Sequence, residues 1–130
     1  MPREPGIRKQ KVTFDDVRRI GLRLPDVGEG TMYGSPALKL RGKLLTCLAV
    51  HKSAEPDTLA VRIDFSERDE LIEADPQTYY VTEHYVDYPV VLVRLTSIRT
   101  DALGDLLGAA WRFVNARKPA PRRLTARPRR

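Results

Sequence analysis

The chain has 130 residues, with 23 Lys and Arg against 17 Asp and Glu, a formal charge of +6. That length predicts one domain, large enough to bury a core without disulfide or metal staples, and 42% hydrophobic residues exclude a disordered chain. The longest apolar run, Leu44 to Val50 interrupted by Thr46, is too short for a membrane span, and the single cysteine, Cys47, excludes a disulfide framework or a cysteine-based zinc site.

Residues 1–11 form a basic arm of net charge +3 with no apolar signal-peptide core, so a cytoplasmic location is expected. Thr13 then reads as a helix N-cap with Asp16 as a short capping-box acid, and Val12 and Val17 are placed to staple that end. Phe14, Val17, Ile20 and Leu24 repeat at helical spacing until Pro25 stops the helix. A turn through Asp26-Val27-Gly28 leads to a short strand over 29–34, which Pro36 breaks. Residues 37–41 and 43–50 make a hairpin about Gly42, although Arg41-Gly42-Lys43 does not resemble a two-residue primed turn.

After a polar loop over 51–57, Thr58 to Phe65 alternates, with Leu59, Val61, Ile63 and Phe65 on one face and Ala60, Arg62 and Asp64 on the other. That is the pattern of a half-buried antiparallel strand. Ser66 reads as the N-cap of a second helix, 67–74, with acids in its first turn. Tyr79 to Val86 is an aromatic, partly extended segment, and Val90 to Thr96 is the last strand. Thr100 caps the longest helix, 101–115, in which Leu103, Leu106, Leu107, Ala110, Trp111 and Val114 form an apolar stripe against the sheet. Residues 117–130 are a Pro/Arg tail with seven basic groups and no acid, expected to be disordered. The predicted domain, 12–116, therefore carries −4.

The order predicts an α+β two-layer fold: helix, three or four strands, helix, one or two strands, helix, with the helices on one face of an antiparallel sheet and the other face open. No catalytic constellation stands out. Gly28, Gly30 and Gly34 precede a strand rather than linking strand to helix, which excludes a phosphate loop. His51 and His84 are far apart in sequence with no compact ligand set, so neither a metal nor another cofactor is expected. Ser35 and Ser53 lack a nucleophile elbow, and Cys47 lies in the most apolar strand as an inert thiol.

Two surfaces carry the binding readings. Strand alternation places Lys39 and Arg41, Arg62 and Asp64, and Arg94 on the open face, either as a basic patch or as an ordinary solvated surface. Outward Ala60 and Leu92 fit a subunit interface instead. Tyr79, Tyr80, His84, Tyr85 and Tyr88 form an aromatic cluster that either stacks on a ligand or seals the sheet edge.

Leu24-Pro25-Asp26-Val27, Tyr33-Gly34-Ser35-Pro36-Ala37-Leu38, Arg41-Gly42-Lys43, the acidic helix, Thr82-Glu83-His84-Tyr85 and Leu106-Leu107-Gly108-Ala109-Ala110-Trp111 together resemble the MmcQ/YjbR family over about residues 13–116. Tyr33, Gly34, Pro36, Gly42, Lys43 and the His84-Tyr85 pair match its recurrent positions. The resemblance implies a two-layer CyaY-like domain, labelled DNA-binding through a double-wing arrangement, with no catalytic residues common to the family. Glu83 and Asp87 stand where other members have a more basic stretch. The expectation is a non-enzymatic DNA-binding protein with weak sequence preference. Phosphate contacts would come from Lys39, Arg41, Lys43, Arg62 and Arg94, assisted by tail residues such as Arg122 and Arg123. The alternative is a protein-binding module or homodimer using the open face, and a ligand site at Tyr33, His84 and Tyr85 is a third reading.

Overall fold

Thr13 ends an extended entry segment, and the Asp16 carboxylate accepts its backbone N–H at 3.0 Å, satisfying a donor at the start of helix α1, Phe14–Gly21. The structure, a computed structural model, describes residues 11–116. The expected basic arm up to residue 10 and the Pro/Arg tail with Arg122 and Arg123 lie outside the described residues. After α1 come strands β1 (Val27–Met32), β2 (Ser35–Leu40), β3 (Lys43–Leu48) and β4 (Thr58–Arg62), then helix α2 (Phe65–Ala74). Strands β5 (Tyr79–Tyr80) and β6 (Val90–Arg94) and helix α3 (Thr100–Ala116) complete the chain. The six strands form one antiparallel sheet in the order β1-β2-β3-β4-β6-β5. The α+β class and the element order agree with the sequence expectation.

Both early hairpins are tighter than the sequence suggests. Met32 pairs with Ser35 across Tyr33-Gly34, and Leu40 pairs with Lys43 across Arg41-Gly42. All four turn residues have positive φ, at 55° and 79° in the first turn and 48° and 84° in the second. Two consecutive positive φ values mark the type I′ turn, whose twist matches that of the strands. Arg41-Gly42 is therefore a two-residue primed turn, contrary to expectation, and β1 starts two residues earlier than the sequence implies. Pro36 does not break a strand but stands second in β2. The β2–β3 ladder begins only at Ala37, so the missing N–H removes no bond from it.

Two caps also differ by a residue or two. Asp64, not Ser66, caps α2, its carboxylate accepting the Ser66 N–H at 3.0 Å, so β4 ends at Arg62 and Phe65 is helical. In α3 the Leu103 N–H bonds to the Arg99 carbonyl, which makes Thr100 the first helical residue rather than the cap.

The helix-side core is built from alternate strand residues, Leu38, Leu40, Leu45, Leu59, Val61, Val91 and Val93, against Val17 of α1 and Leu103, Leu107, Ala110 and Val114 of α3. Leu71 and Ile72 of α2 pack against the same cluster. Trp111 only borders this core: it is part-buried, and its indole Nε1–H donates to the Pro25 carbonyl at 2.8 Å, tying α3 to the end of the α1 turn. The opposite sheet face is not open throughout. Ala60 and Leu92, expected outward at a subunit interface, are 6% and 0% exposed within the single chain, beneath Tyr80 and Tyr85.

Candidate functional site

Strand register decides what this second face looks like. Gly30, Ala37, Cys47, Ala60, Leu92 and Tyr80 are successive partners across all six strands. Residues paired in a sheet share a face, so four small residues stand side by side before the row rises to Leu92 and Tyr80. A row of small side chains leaves a trough. Cys47 and Ala60 line its floor, with Leu44, Leu48 and Val90 beside them, in a groove of about 910 Å³. This volume lies within the range of small-molecule sites, about 300–1,000 Å³.

Three segments raise the walls. Met32 and Tyr33 come from the first hairpin, 49–52 from the exit of β3, and His84, Tyr85, Tyr88 and Pro89 from the loop between β5 and β6. Tyr33 is 86% exposed and Tyr88 57%, so large aromatic surfaces stand unburied at the rim. The 81–89 loop is fixed from behind by Arg68 of α2, a residue only 6% exposed. Its Nη1 lies 3.1 and 3.0 Å from the carbonyl oxygens of Val86 and Tyr88, with that of Val90 at 3.5 Å. The Arg68 guanidinium also sits 4.9 Å from the Phe65 ring centroid.

The two histidines, remote in sequence, meet at this wall. Their rings stack at a centroid distance of 3.4 Å with 9° between planes, and Tyr85 meets both edge-on. His51 Nδ1 accepts the Ser53 N–H at 3.0 Å, and the Ser53 hydroxyl reaches Thr82 at 2.8 Å, joining the two loops. Partial desolvation, then the neighbouring His84 and Lys52, hold the His51 pKa below its ordinary 6.5. An acceptor Nδ1 likewise requires the neutral ring. Burial raises the Tyr85 and Cys47 pKa values, so the phenol and the thiol stay protonated at neutral pH. A neutral thiol is a poor nucleophile.

His51 is thus expected to titrate below 6.5 in side-chain NMR spectra of the folded chain. Because the folded state disfavours its proton, the His51 contribution to stability is complete above the unfolded value of 6.5 and is lost as pH falls from there through the folded value. A His51 titration at or above 6.5 would contradict this arrangement.

The structure brings together Tyr33, His84 and Tyr85, the predicted ligand cluster, and adds His51 and the floor residues Cys47 and Ala60. It does not bring together the predicted phosphate-contact set. Lys39 lies on the groove face, along Gly30. Arg41 is in a turn, paired with Asp26 at 2.5 Å and hydrogen-bonded to Asn115. Lys43 pairs with Leu40, a core residue, which puts it on the helix side of the register. Arg62 lines the groove, but its guanidinium lies 5.7 Å from the Phe113 ring of α3. Arg94 is clamped: it forks onto Glu55 at 2.8 and 2.7 Å, reaches the Pro76 and Gln77 carbonyls at 3.1 Å, and covers Tyr80. Tyr80 stands on the groove face but bonds Thr58, and Tyr79 is buried in the helix-side core, so neither lines the groove. Among the described residues, no group of three or more His, Cys, Asp or Glu is placed to hold a metal, and no helix is long and apolar enough to cross a membrane.

Tyr33 itself carries a signal. A bulky residue at φ 55° is strained where Asn or Gly would fit with less cost. Tyr33→Asn is expected to leave the denaturation midpoint unchanged or raise stability by up to about 1 kcal/mol, while weakening occupancy of the groove. A clear loss of stability would show that the exposed ring serves the fold.

No family model matches the chain. It is 31% identical over 110 residues, covering 76% of its own length and 85% of the relative, to the uncharacterized protein Rv2570 of Mycobacterium tuberculosis. The uncharacterized protein Mb2600 of Mycobacterium bovis matches equally. Among solved structures it is similar to Deinococcus radiodurans DR2400, a DUF419 domain, with TM-score 0.67 and 21% identity over 85% of this chain and 84% of that one. That likeness supports the fold alone.

Proposed function

The chain belongs to the same family as the mycobacterial proteins Rv2570 and Mb2600, and from that premise we propose that it is a non-enzymatic binding domain of MmcQ/YjbR type whose site is the groove on the helix-free face of the sheet. One observation carries this reading: an apolar floor built by register from small residues, walled by two histidines and three tyrosines. Such a surface stays exposed at a cost, because apolar area and aromatic rings are normally buried where nothing else requires them. The occupant is a small molecule with a flat or chain-like apolar body.

The test is an NMR titration with 2-naphthylmethanol, a neutral bicyclic probe. Amide shifts are expected to cluster at Cys47, Ala60, Tyr85 and Val90, and to disappear in Ala60→Trp, which fills the floor. No shifts at millimolar probe, or shifts scattered outside the groove, would overturn the reading. Dimerisation of the wild type that Ala60→Trp abolishes would give the groove to a second copy instead.

A second reading rests on charge. Residues 117–130 carry seven cations and no acid, and residues 1–11 carry +3, against −4 for 12–116. In this reading DNA binding is non-specific phosphate attraction held by the terminal segments, Arg122 and Arg123 among them, rather than by the sheet face.

A further inference from the structure

The groove is lined by two cations, Lys52 and Arg62, two histidines and three tyrosines, and by no carboxylate. This is unexpected on a body whose residues 12–116 sum to −4. The nearby acids are engaged or turned elsewhere: Glu55 is held by Arg94, while Glu83 and Asp87, on the same loop as His84, do not line the groove. Among the described residues Lys52 has no ion-pair partner; its effect is to disfavour a proton on His51. Arg62 is part-buried along the floor, two residues from Ala60 on β4, with its guanidinium drawn toward Phe113. The rim therefore presents donors and the positive charge of Lys52 around an apolar trough that no carboxylate lines.

We propose that the groove takes an amphipathic anion: an apolar, ring-sized or chain-like body on the Cys47–Ala60 floor, with one carboxylate or phosphate group at the rim beside Lys52 and the stacked His51 and His84. The proposal rests on the groove reading above and adds the sign and place of the ligand's charge. Tyr33 and Tyr88, exposed at the rim, offer ring faces to the body. The chain's own basic segments, 1–11 and 117–130, carry the wrong charge for this site. A carboxylate within reach of an ammonium forms a charge-assisted bond, stronger than a neutral one and strengthened further where water is thinned by apolar walls.

The experiment compares three probes of one shape on the full-length chain: 2-naphthoate, 2-naphthyl phosphate and neutral 2-naphthylmethanol. At neutral pH and low salt at least one anion is expected to bind about tenfold more tightly than the alcohol, the scale of one charge-assisted contact. The naphthoate and phosphate arms tell which head group is preferred. Lys52→Gln should bring the preferred anion down to the affinity of the alcohol without altering that of the alcohol itself, and added salt should act in the same direction. Equal binding of alcohol and anions would overturn the charge inference and leave the groove reading standing. Binding of none of the three would remove both. An anion preference that survives Lys52→Gln with shifts away from Cys47 and Ala60 would place the anion site elsewhere and overturn the proposal.

Discussion

Arg68→Met is expected to lower stability by about 3 kcal/mol and to abolish occupancy of the groove. The reason lies in what one guanidinium nitrogen holds. The two Nη1 hydrogens serve the carbonyls of Val86 and Tyr88, with Val90 at the margin, and these three residues run through the end of the 81–89 loop into β6. Met removes these contacts and the guanidinium over Phe65. The Tyr88 carbonyl keeps the Val90 N–H at 2.8 Å, but the Val86 carbonyl loses the Arg68 donor, and an unsatisfied, partly buried acceptor carries its desolvation cost without return. The loop would then loosen from α2, and with it His84, Tyr85 and Tyr88. Denaturant midpoints at constant m-value measure the first effect, and the naphthyl probes measure the second. Arg68→Lys keeps the charge but not the planar fork, so an intermediate loss is expected. A change under about 1 kcal/mol for Arg68→Met, with probe binding intact, would show that the loop is held by its own packing.

The helices were legible because their signals are local. Thr13 with Asp16, and the Leu103, Leu107, Ala110, Val114 stripe, need only neighbours within a few turns to declare themselves. The two hairpin turns were harder. Tyr33-Gly34 and Arg41-Gly42 put a bulky residue where positive φ favours Asn, Asp or Gly. Arg41 occupies a turn and Lys43 shares the register face of Leu40, so the basic face that alternation predicts keeps Lys39 and Arg62 but loses Arg41 and does not extend to Lys43. The shift in pairing between Leu38 and Lys39 is taken up in β3, where Leu45 is passed over between Leu44 and Thr46, and it leaves Lys39 on the groove face.

The groove was half legible. Tyr33, His84 and Tyr85 were visible as a cluster of ring-bearing residues, and Ala60 as an apolar residue in an outward position. The contact of His51 with His84 was not, because 33 positions separate them and only the β3-β4-β6 pairing brings their loops together. Arg68 gave no sign either: an arginine in an acidic, exposed-looking helix reads as a solvated charge until the loop it supports is seen above it.

Deleting residues 117–130 is expected to remove most of any affinity for duplex DNA and to flatten the plot of log affinity against log salt by up to about 6, from seven cations at roughly 0.9 per phosphate contact. The remaining 12–116 body, at −4, repels a polyanion at long range, and its arginines are largely committed. Arg94 is forked onto Glu55, Arg41 is paired with Asp26 and Arg68 is buried. The deletion removes none of the described helices or strands, so its effect on DNA separates cleanly from any effect on folding. Ala60→Trp supplies the opposite arm: it fills the groove and should leave the salt slope unchanged. If instead the plug weakens DNA binding and the deletion does not, nucleic acid enters the groove, and the naphthyl anions should then compete with it. If the wild type shows no affinity even at low salt, the terminal charge has another purpose and the DNA reading falls, while the groove stands or fails on its own titration.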